Sequence, residues 1–281
     1  MAFTGSTPIT GQAATPDPYT GPMAVLHAAG APLTTSGYTL LIADDPTQVA
    51  AAQRLRHEVF ATELGATLHP AGGGLDVDDL DAHCDHLIVR EERTGAVVGT
   101  YRLLPPGRVD RRYAEGEFEL TALDPLRDVL VEAGRSCVHP DHRSGAVINL
   151  MWAGITRYLH LRGSRWLGGC ASVPVADGGR AAAEAWALVR AKHLAPPLLR
   201  VRPRRPWFAE PLAAHPDTAA GGPAGQAAIP PLLRGYLRLG AWIAGEPAYD
   251  PDFGVADFYV LFSLDRMNPR YLRHFLGGEQ R

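Results

Sequence analysis

Apolar positions along the chain follow two periodicities, which divide it into predicted strands and helices. Runs rich in β-branched and aromatic residues predict strands over 38–43, 86–90, 97–104, 130–136, 166–173 and 257–264, with a short edge strand over 116–120. Apolar residues spaced three and four apart predict helices from Asp45 onward and over 149–162, 180–192, 232–239 and 268–275. The order of these elements indicates an α/β or α+β class, with a mostly antiparallel mixed sheet flanked by helices.

Two segments lack this periodicity. Residues 1–36 are rich in Thr, Pro, Gly and Ala and predict a flexible leader. Residues 196–230 are rich in Pro, Ala and Gly, are basic at their start, and predict an insertion. The remaining chain has the length of one large domain, so we predict a single domain over 37–281 that contains this insertion.

Composition limits the kind of partner and the compartment. A net charge of −3 over 281 residues provides no general attraction for nucleic acid or an anionic membrane. Three scattered cysteines are typical of reduced thiols. The sequence has no signal peptide and no apolar run of about 18 residues, the length that spans a bilayer. We therefore expect a soluble, cytoplasmic protein that does not bind nucleic acid.

The motif Glu132-Ala-Gly-Arg135 at the end of the apolar run 129–131 is the strongest chemical signal. A carboxylate in a partly desolvated cleft can act as a general base for an amine, and a guanidinium can stabilise an oxyanion. Glu132 is our candidate base and Arg135 our candidate anion binder. The alternative is that the two side chains form an ion pair with each other.

Two other segments contain arginine among apolar residues. Arg56 and Phe60 are four residues apart, so they share one face of a predicted helix. That helix is either a lid over an acyl chain or an amphipathic helix whose arginine reaches solvent. Arg102 lies inside an apolar strand, where burial requires a partner such as Glu132 or Glu117. The alternative places Arg102 on a solvent-facing side of the strand.

The acidic segment 76–86 contains several possible metal ligands. Its spacing does not match an EF-hand, because positions 5, 6 and 12 counted from Asp76 are Leu80, Asp81 and Leu87. A zinc site formed by His83, Cys84 and His86 would also lack the usual ligand spacing. We therefore predict no metal site. The segment is either a solvated loop or an anionic pocket for a cationic amine.

Cys137 offers a competing nucleophilic mechanism. His139 lies two residues further along a strand, on the same face, and could serve as its base. No third group that would orient the histidine is evident.

Together these segments resemble the ornithine N-acyltransferase family of the GNAT superfamily. They are more distantly similar to acyl-homoserine-lactone synthases and long-chain N-acyl amino acid synthases. The matching stretches lie between residues 38 and 276, at 55–60, 84–89, 99–105, 117–120, 132–143, 150–152, 169–172, 230–240 and 252–258. The resemblance implies a GNAT-like fold, an acyl thioester donor and an amine acceptor.

The resemblance also implies a set of site residues. Catalytic roles fall on Glu132, Arg135 and Arg102. Substrate-binding roles fall on Arg56, Phe60, Asp78 and Asp81. Further substrate-binding candidates from the matching stretches are Asp85, His86, Cys137, Arg143, Trp152 and Ser172. Of these, Phe60 and Trp152 together with Leu150 are candidates for the wall of an acyl tunnel.

The donor expected from the resemblance is an acyl group on phosphopantetheine, with no bound cofactor. Many acetyl-CoA-dependent relatives have Arg/Gln-x-x-Gly-x-Gly/Ala at the phosphate loop, whereas Arg143-Ser-Gly145-Ala departs from it. This favours acyl-carrier protein over acyl-CoA as the partner. The basic segment 200–205 would attract an acidic carrier protein, although it also fits a solvated loop.

The predicted activity is transfer of a fatty acyl group to the α-amine of an amino acid, with ornithine as the first choice and lyso-ornithine lipid as the product. Two alternatives stay open. One is an N-acyl amino acid or lipopeptide synthase with another amine acceptor, and the other is a non-catalytic module that binds acyl-carrier protein or lipid. An amphiphilic product would also permit weak peripheral contact with the inner membrane face.

Overall fold

A computed structural model describes residues 33–68, 73–208 and 229–276 of the chain. Within these ranges the first strands are β1 (Leu33–Thr35), β2 (Tyr38–Ile42), β3 (Asp85–Glu91) and β4 (Val97–Leu104). They are followed by β5 (Phe118–Glu119), β6 (Leu130–Val138), β7 (Trp166–Pro174) and β8 (Arg202–Pro203), and finally by β9 (Trp242–Ile243), β10 (Ala248–Asp250) and β11 (Val255–Ser263). The helices are α1 (Pro46–His57), α2 (Gly145–Leu161), α3 (Arg180–Lys192), α4 (Pro231–Leu239) and α5 (Pro269–Leu276).

The main sheet has the order β1-β2-β3-β4-β6-β7-β11-β10, with β9 also paired to β11. Every pair in it is antiparallel except β6 with β7, which run parallel. The predicted mixed, mostly antiparallel sheet flanked by helices is therefore confirmed. Strands β5 and β8 form a separate pair.

Side-chain alternation along the strands gives the sheet two different faces. One face buries Leu87, Tyr101 and Val131 beneath α2, in the larger apolar core. The other face carries α1 and the β5–β8 pair, and it contains Ile88 and Leu130 among smaller apolar clusters. Polar residues that alternate with the larger core therefore point toward the α1 side.

Helix α1 begins where the sequence predicts. The Asp45 side chain accepts a hydrogen bond from the Gln48 amide at 2.9 Å, and Pro46 occupies the first turn, where its missing N–H has no consequence. The helix continues as a π-helical segment, Glu58–Glu63, which contains Phe60. Such wide turns are frequent at functional sites.

Two predicted boundaries fall partly outside the described residues. Of the predicted leader, residues 1–32 lie outside them, while Leu33–Thr35 form β1 paired with β2. Of the predicted insertion, residues 209–228 lie outside them, while 202–203 form β8 against β5. Among the described residues, no helix is both long enough and apolar enough to cross a membrane.

Candidate active site

A cleft opens where the parallel strands β6 and β7 separate. Their pairing starts at Leu130 with Trp166 and ends at Glu132 with Gly168. At the next position a Cβ atom on Gly169 would collide with the carbonyl oxygen of Ala133, so only glycine fits there. Beyond this point β6 stays with β4 and β7 stays with β11, which leaves a cavity of about 630 Å³ between them.

A β-bulge in β6 directs Arg135 toward this cleft. Thr100 pairs with Cys137 and Arg102 pairs with Gly134, so two residues of β6 lie opposite the single residue Tyr101. Arg135 has a φ of 50°, in the left-handed region that non-glycine residues rarely adopt. Such strained positions persist only where surrounding contacts hold them, and they cluster at functional sites.

Five of the sequence-predicted site residues line the cleft: Phe60, Arg102, Glu132, Arg135 and Ser172. Phe60 contacts the ring of Phe253 edge-on, with centroids 5.9 Å apart. An outer cavity of about 860 Å³ adjoins the cleft and shares Arg135 in its wall. The sequence therefore identified residues from four separate segments that the fold brings to one place.

Glu132 is almost completely buried at the point where the strands separate. Its Oε2 atom accepts a hydrogen bond from the Tyr113 amide at 2.7 Å, and Oε1 accepts one from the Ala114 amide at 3.0 Å. Burial raises the pKa of this carboxyl group, although the two amides oppose the shift. A raised pKa brings a carboxylate closer to the range in which it can accept a proton from an amine.

The arginines of the cleft face form ion pairs with the acidic loop. Arg56 is fully buried, and its Nη1 and Nη2 atoms bind the two carboxylate oxygens of Asp81 at 2.9 and 2.8 Å. Its Nε atom binds Asp76 at 2.8 Å, and Nη2 also donates to the Asp76 carbonyl oxygen. Burial opposes the charge on Asp81, but Arg56 and Arg102 hold its pKa well below the usual value.

Two further arginines complete this cluster, which we call the arginine–aspartate network: Arg56, Arg102, Arg135, Asp76, Asp78 and Asp81. Arg102 donates from Nη1 to Asp78 at 2.6 Å and to Asp81 at 3.0 Å. The Nε atom of Arg135 lies 3.1 Å from Oδ2 of Asp76, and its Nη2 atom lies 3.5 Å from Oδ2 of Asp78. Three positive and three negative side chains thus neutralise one another, which buried charges require.

These contacts correct three expectations. Arg102 pairs with aspartates of the loop, so Glu132 and Glu117 as its partners were wrong. Among the described residues Arg135 has no ion pair with Glu132, so the alternative of a Glu132–Arg135 pair was also wrong. Because arginines neutralise the aspartates of the acidic loop, that loop is neither simply solvated nor a free anionic pocket.

Tyr113 is a cleft residue that sequence reasoning missed. Its ring lies under the guanidinium of Arg135 at 4.7 Å and that of Arg102 at 5.7 Å. Burial raises the pKa of its phenol to about 12, so the hydroxyl is protonated at neutral pH. The segment around Tyr113 has no apolar periodicity, and only its sequence proximity to Glu117 could have drawn attention to it.

Asp85 and His86 are among the predicted binding residues that lie away from the cleft. Asp85 faces α2, where its Oδ2 atom accepts from the Tyr158 hydroxyl at 2.5 Å and Oδ1 pairs with Arg108 at 2.8 Å. His86 points to the α1 side of the sheet, where its Nε2 atom lies 3.1 Å from the backbone carbonyl oxygen of Asp81. Burial lowers the pKa of His86. Both side chains therefore have structural partners in place of a substrate.

Trp152 and Leu150 belong to the larger apolar core, not to the cleft wall. Trp152 packs edge-on against Tyr236, with centroids 4.7 Å apart. Their proposed place in an acyl tunnel was wrong, because α2 covers the sheet face opposite to α1. Arg143 also lies outside the cleft and binds both carboxylate oxygens of Glu63, at 2.7 and 2.5 Å.

The cysteine nucleophile is not supported by its surroundings. Cys137 is buried against Leu55 and Val59 of the α1 side, and burial raises the pKa of its thiol. His139 instead lies 3.4 Å from Glu58. A protonated, buried thiol outside the cleft is a poor nucleophile, so the Cys137–His139 mechanism was wrong.

Comparisons with known proteins place the chain among the acyltransferases. The family model described as acetyltransferase (GNAT) domain matches residues 55–153. The chain is 35% identical to the L-ornithine N(alpha)-acyltransferase of Rhodobacter capsulatus, over 86% of this chain and 95% of that one. It is 32% identical to the enzyme of that name from Rhizobium meliloti, over 83% and 82%. The solved structure of FeeM, an N-acyl amino acid synthase from uncultured soil microbes, covers 81% of this chain and 90% of its own, at 10% identity and a TM-score of 0.49. The GNAT-like fold expected from the sequence is confirmed.

Proposed function

Since this chain belongs to the L-ornithine N(alpha)-acyltransferase family, we propose that it transfers an acyl group from a thioester to the α-amine of L-ornithine. The chain is an acyltransferase, and the observation that carries the finer proposal is the cleft between β6 and β7, lined by Glu132 and Arg135. We further propose a fatty acyl-carrier protein as the donor and lyso-ornithine lipid as the product.

The proposed reaction uses the groups at the separation of the strands. The α-ammonium of ornithine loses a proton to Glu132, directly or through one water, and the free amine attacks the thioester carbonyl carbon. Arg135 and the unpaired backbone beyond Glu132 stabilise the tetrahedral oxyanion. As the carbon–sulfur bond breaks, the nitrogen of the tetrahedral intermediate loses its second proton to the departing thiolate, which leaves an amide and a thiol, and Glu132 then releases the first proton to solvent.

Two features support a carrier protein as the donor. Both carboxylate oxygens of Glu63 bind Arg143, so this arginine of the expected phosphate loop before α2 is already neutralised by the protein. It is therefore less available to the phosphates of a CoA donor. Arg204 and Arg205 are exposed and line the outer cavity that leads to the cleft. Basic residues at an entrance favour the approach of an acidic carrier protein and make that approach sensitive to salt.

The direct test is to incubate the purified full-length chain with L-ornithine and either palmitoyl-carrier protein or palmitoyl-CoA, and to identify products by mass spectrometry. We expect Nα-palmitoylornithine, with the carrier-protein donor used more efficiently. Transfer to other amino acids but not to ornithine would replace the proposed acceptor. An unconsumed donor with every amine would refute the activity and favour a binding module.

We also propose that the enzyme acts in the cytoplasm and touches the inner membrane face only weakly. The amphiphilic product and the exposed basic residues of α5, Arg270 and Arg273, support this. Co-sedimentation with vesicles containing anionic lipid should then be weak and should disappear in high salt. Binding that persists in high salt would contradict the proposal.

A further inference from the structure

Three carboxyl groups meet in the cleft outside the arginine–aspartate network. Glu117 follows the 3-10 turn Tyr113–Gly116, Asp250 ends β10, and Asp257 lies in β11. An oxygen from each lies within 4.8 Å of the others. We call these residues the acidic trio. They come from three separate segments of the chain, so only the tertiary fold brings them together.

The acidic trio differs from the arginine–aspartate network in its ion pairs. Among the described residues, no arginine, lysine or histidine forms an ion pair with any of the three. Asp257 is 2% exposed, and the Ser172 hydroxyl donates to its Oδ1 atom at 2.6 Å. The Oε2 atom of Glu117 is shielded from solvent and accepts no hydrogen bond from a described residue. A shielded polar atom without a partner in a cleft can accept a hydrogen bond from a ligand that enters there.

This arrangement differs from the network beside it, where three arginines balance three aspartates. Burial and the neighbouring carboxylates raise the pKa of Glu117, and burial raises that of Asp257. In the free protein Glu117 and Asp257 therefore hold protons more tightly than isolated carboxyl groups would. A cation that enters the cleft would replace those protons and relieve the repulsion.

We propose that the acidic trio binds the side-chain ammonium of a diamino acid acceptor and thereby selects ornithine over amino acids with an apolar side chain. This inference rests on the proposed function and names the part of the cleft that sets its specificity. An ammonium group carries three N–H donors and no acceptor, which suits three convergent carboxyl groups.

The position of the acidic trio explains which amine it would hold. Glu132 lines the same cleft as the trio, but the three converging oxygens of the trio do not include one from Glu132. The cleft thus has two separate acidic positions. The attacking amine must become neutral, and we place it at Glu132, where the strands separate. The other amine can stay charged at the trio, where several carboxyl groups surround it.

Two acceptors and three variants test this inference. L-ornithine is compared with L-norvaline, which has the same carbon chain without the terminal amine. Asp257→Asn and Glu117→Gln remove charge from the trio, and Glu119→Gln is the matched control, since Glu119 is exposed and lines neither cavity. Thermal unfolding shows whether each variant folds. If the buried Asp257→Asn variant does not fold, Glu117→Gln, at a half-buried position, provides the test.

For the wild type we expect kcat/KM for ornithine to exceed that for norvaline by about 100-fold or more. The trio variants should lower the ornithine value by about 30- to 100-fold and leave the norvaline value within about threefold, whereas Glu119→Gln should change neither. The variants should also form Nδ-acylornithine, because the terminal amine is no longer held in place. A merely structural role would not change the site of acylation.

Several results would overturn the inference while leaving the proposed function intact. One is an equal fall for both acceptors in the trio variants, and another is an unchanged ornithine-to-norvaline ratio. A third is loss of wild-type activity with a chelator and recovery with a divalent cation, which would make the trio a metal site. If the wild type acylates neither amino acid, the proposed function fails. The inference is then tested by thermal unfolding of the wild type with each amino acid. It is supported if ornithine but not norvaline raises the midpoint and if this effect is absent in Glu117→Gln, and it is refuted if both amino acids or neither raise the midpoint.

Discussion

Replacing Glu132 by glutamine tests the proposed base and also changes the local structure. The carboxylate accepts one hydrogen bond on each oxygen, from the amides of Tyr113 and Ala114. Glutamine retains one acceptor oxygen but presents an N–H₂ group to the second amide, so one donor loses its partner. Leaving one buried donor unsatisfied costs about 1–3 kcal/mol of folding free energy.

The catalytic effect should be separable from this structural effect. Loss of a general base lowers kcat by about 10²-fold or more, which corresponds to about 2.7 kcal/mol or more of transition-state stabilisation. The assay is kcat/KM for L-ornithine at saturating donor, measured from pH 6 to pH 9 at a temperature well below the midpoint of thermal unfolding. Urea unfolding of both proteins measures the structural loss independently.

The pH profile distinguishes the two roles of Glu132. In the wild type, activity rises as pH passes through the raised pKa of Glu132 and then levels off, because above it the base is ionised. In Glu132→Gln the amine must lose its proton to solvent, so log kcat/KM should rise by about one for each pH unit. A variant with near-normal turnover and a wild-type profile would remove Glu132 from the mechanism.

Three further predictions concern the framework of the cleft. Asp81→Asn should lower the free energy of unfolding in urea by about 3–5 kcal/mol, because two buried guanidinium groups lose a charged partner, whereas the exposed Asp79→Asn should change it by less than about 1 kcal/mol. Equal effects would contradict the ion-pair assignment. Gly169→Ala should reduce stability by about 1–3 kcal/mol and lower acyl transfer, since its Cβ collides with the Ala133 carbonyl; wild-type values in both assays would exclude the close approach of β6 and β7. The pKa of Glu117 is raised in the folded state, so the free energy of unfolding of the wild type should fall as pH rises above 4.5. Glutamine does not titrate, so by pH 8 the free energy of unfolding of Glu117→Gln in urea should exceed that of the wild type by about 1–3 kcal/mol more than it does at pH 4.5. Parallel pH profiles for the two proteins would refute the raised pKa.

Local patterns were sufficient for the regular elements. Strand β4 and helix α3 have the bounds that periodicity predicted, Val97–Leu104 and Arg180–Lys192. An apolar period of 2 or 3.6 can be recognised from consecutive residues alone, so these elements can be predicted without knowledge of the rest of the fold. The same holds for the start of α1, where Asp45 accepts from the helix amide it was expected to cap.

The pairing of charges could not be predicted in the same way. Arg102 was assigned a partner on a neighbouring strand, since strands are the nearest elements in a sheet. Its partners, Asp78 and Asp81, instead come from a loop that folds back over the sheet. Nothing in the spacing of these residues shows which way that loop turns, because it has neither period 2 nor period 3.6.

The acidic trio was missed for a related reason. Asp250 lies in β10, a strand of three residues, and β10 is too short to give a repeating pattern. Glu117 was noticed only as a partner for Arg102. The three carboxyl groups become a site only when β11 pairs with β7 and β10, since this pairing aligns Asp257 with Ser172 and with Ala248.

The motif Glu132-Ala-Gly-Arg135 places two side chains in one cleft only because β6 is irregular. In a regular strand, residues three apart point to opposite faces of the sheet, so Arg135 would point away from Glu132. The bulge opposite Tyr101 adds one residue to β6, and the left-handed φ of Arg135 turns its side chain back to the cleft. Ion pairs with Asp76 and Asp78 oppose the strain of that conformation. The spacing of the motif, the bulge and the arginine–aspartate network therefore depend on one another, and a change in any of them should move the guanidinium relative to the proposed base.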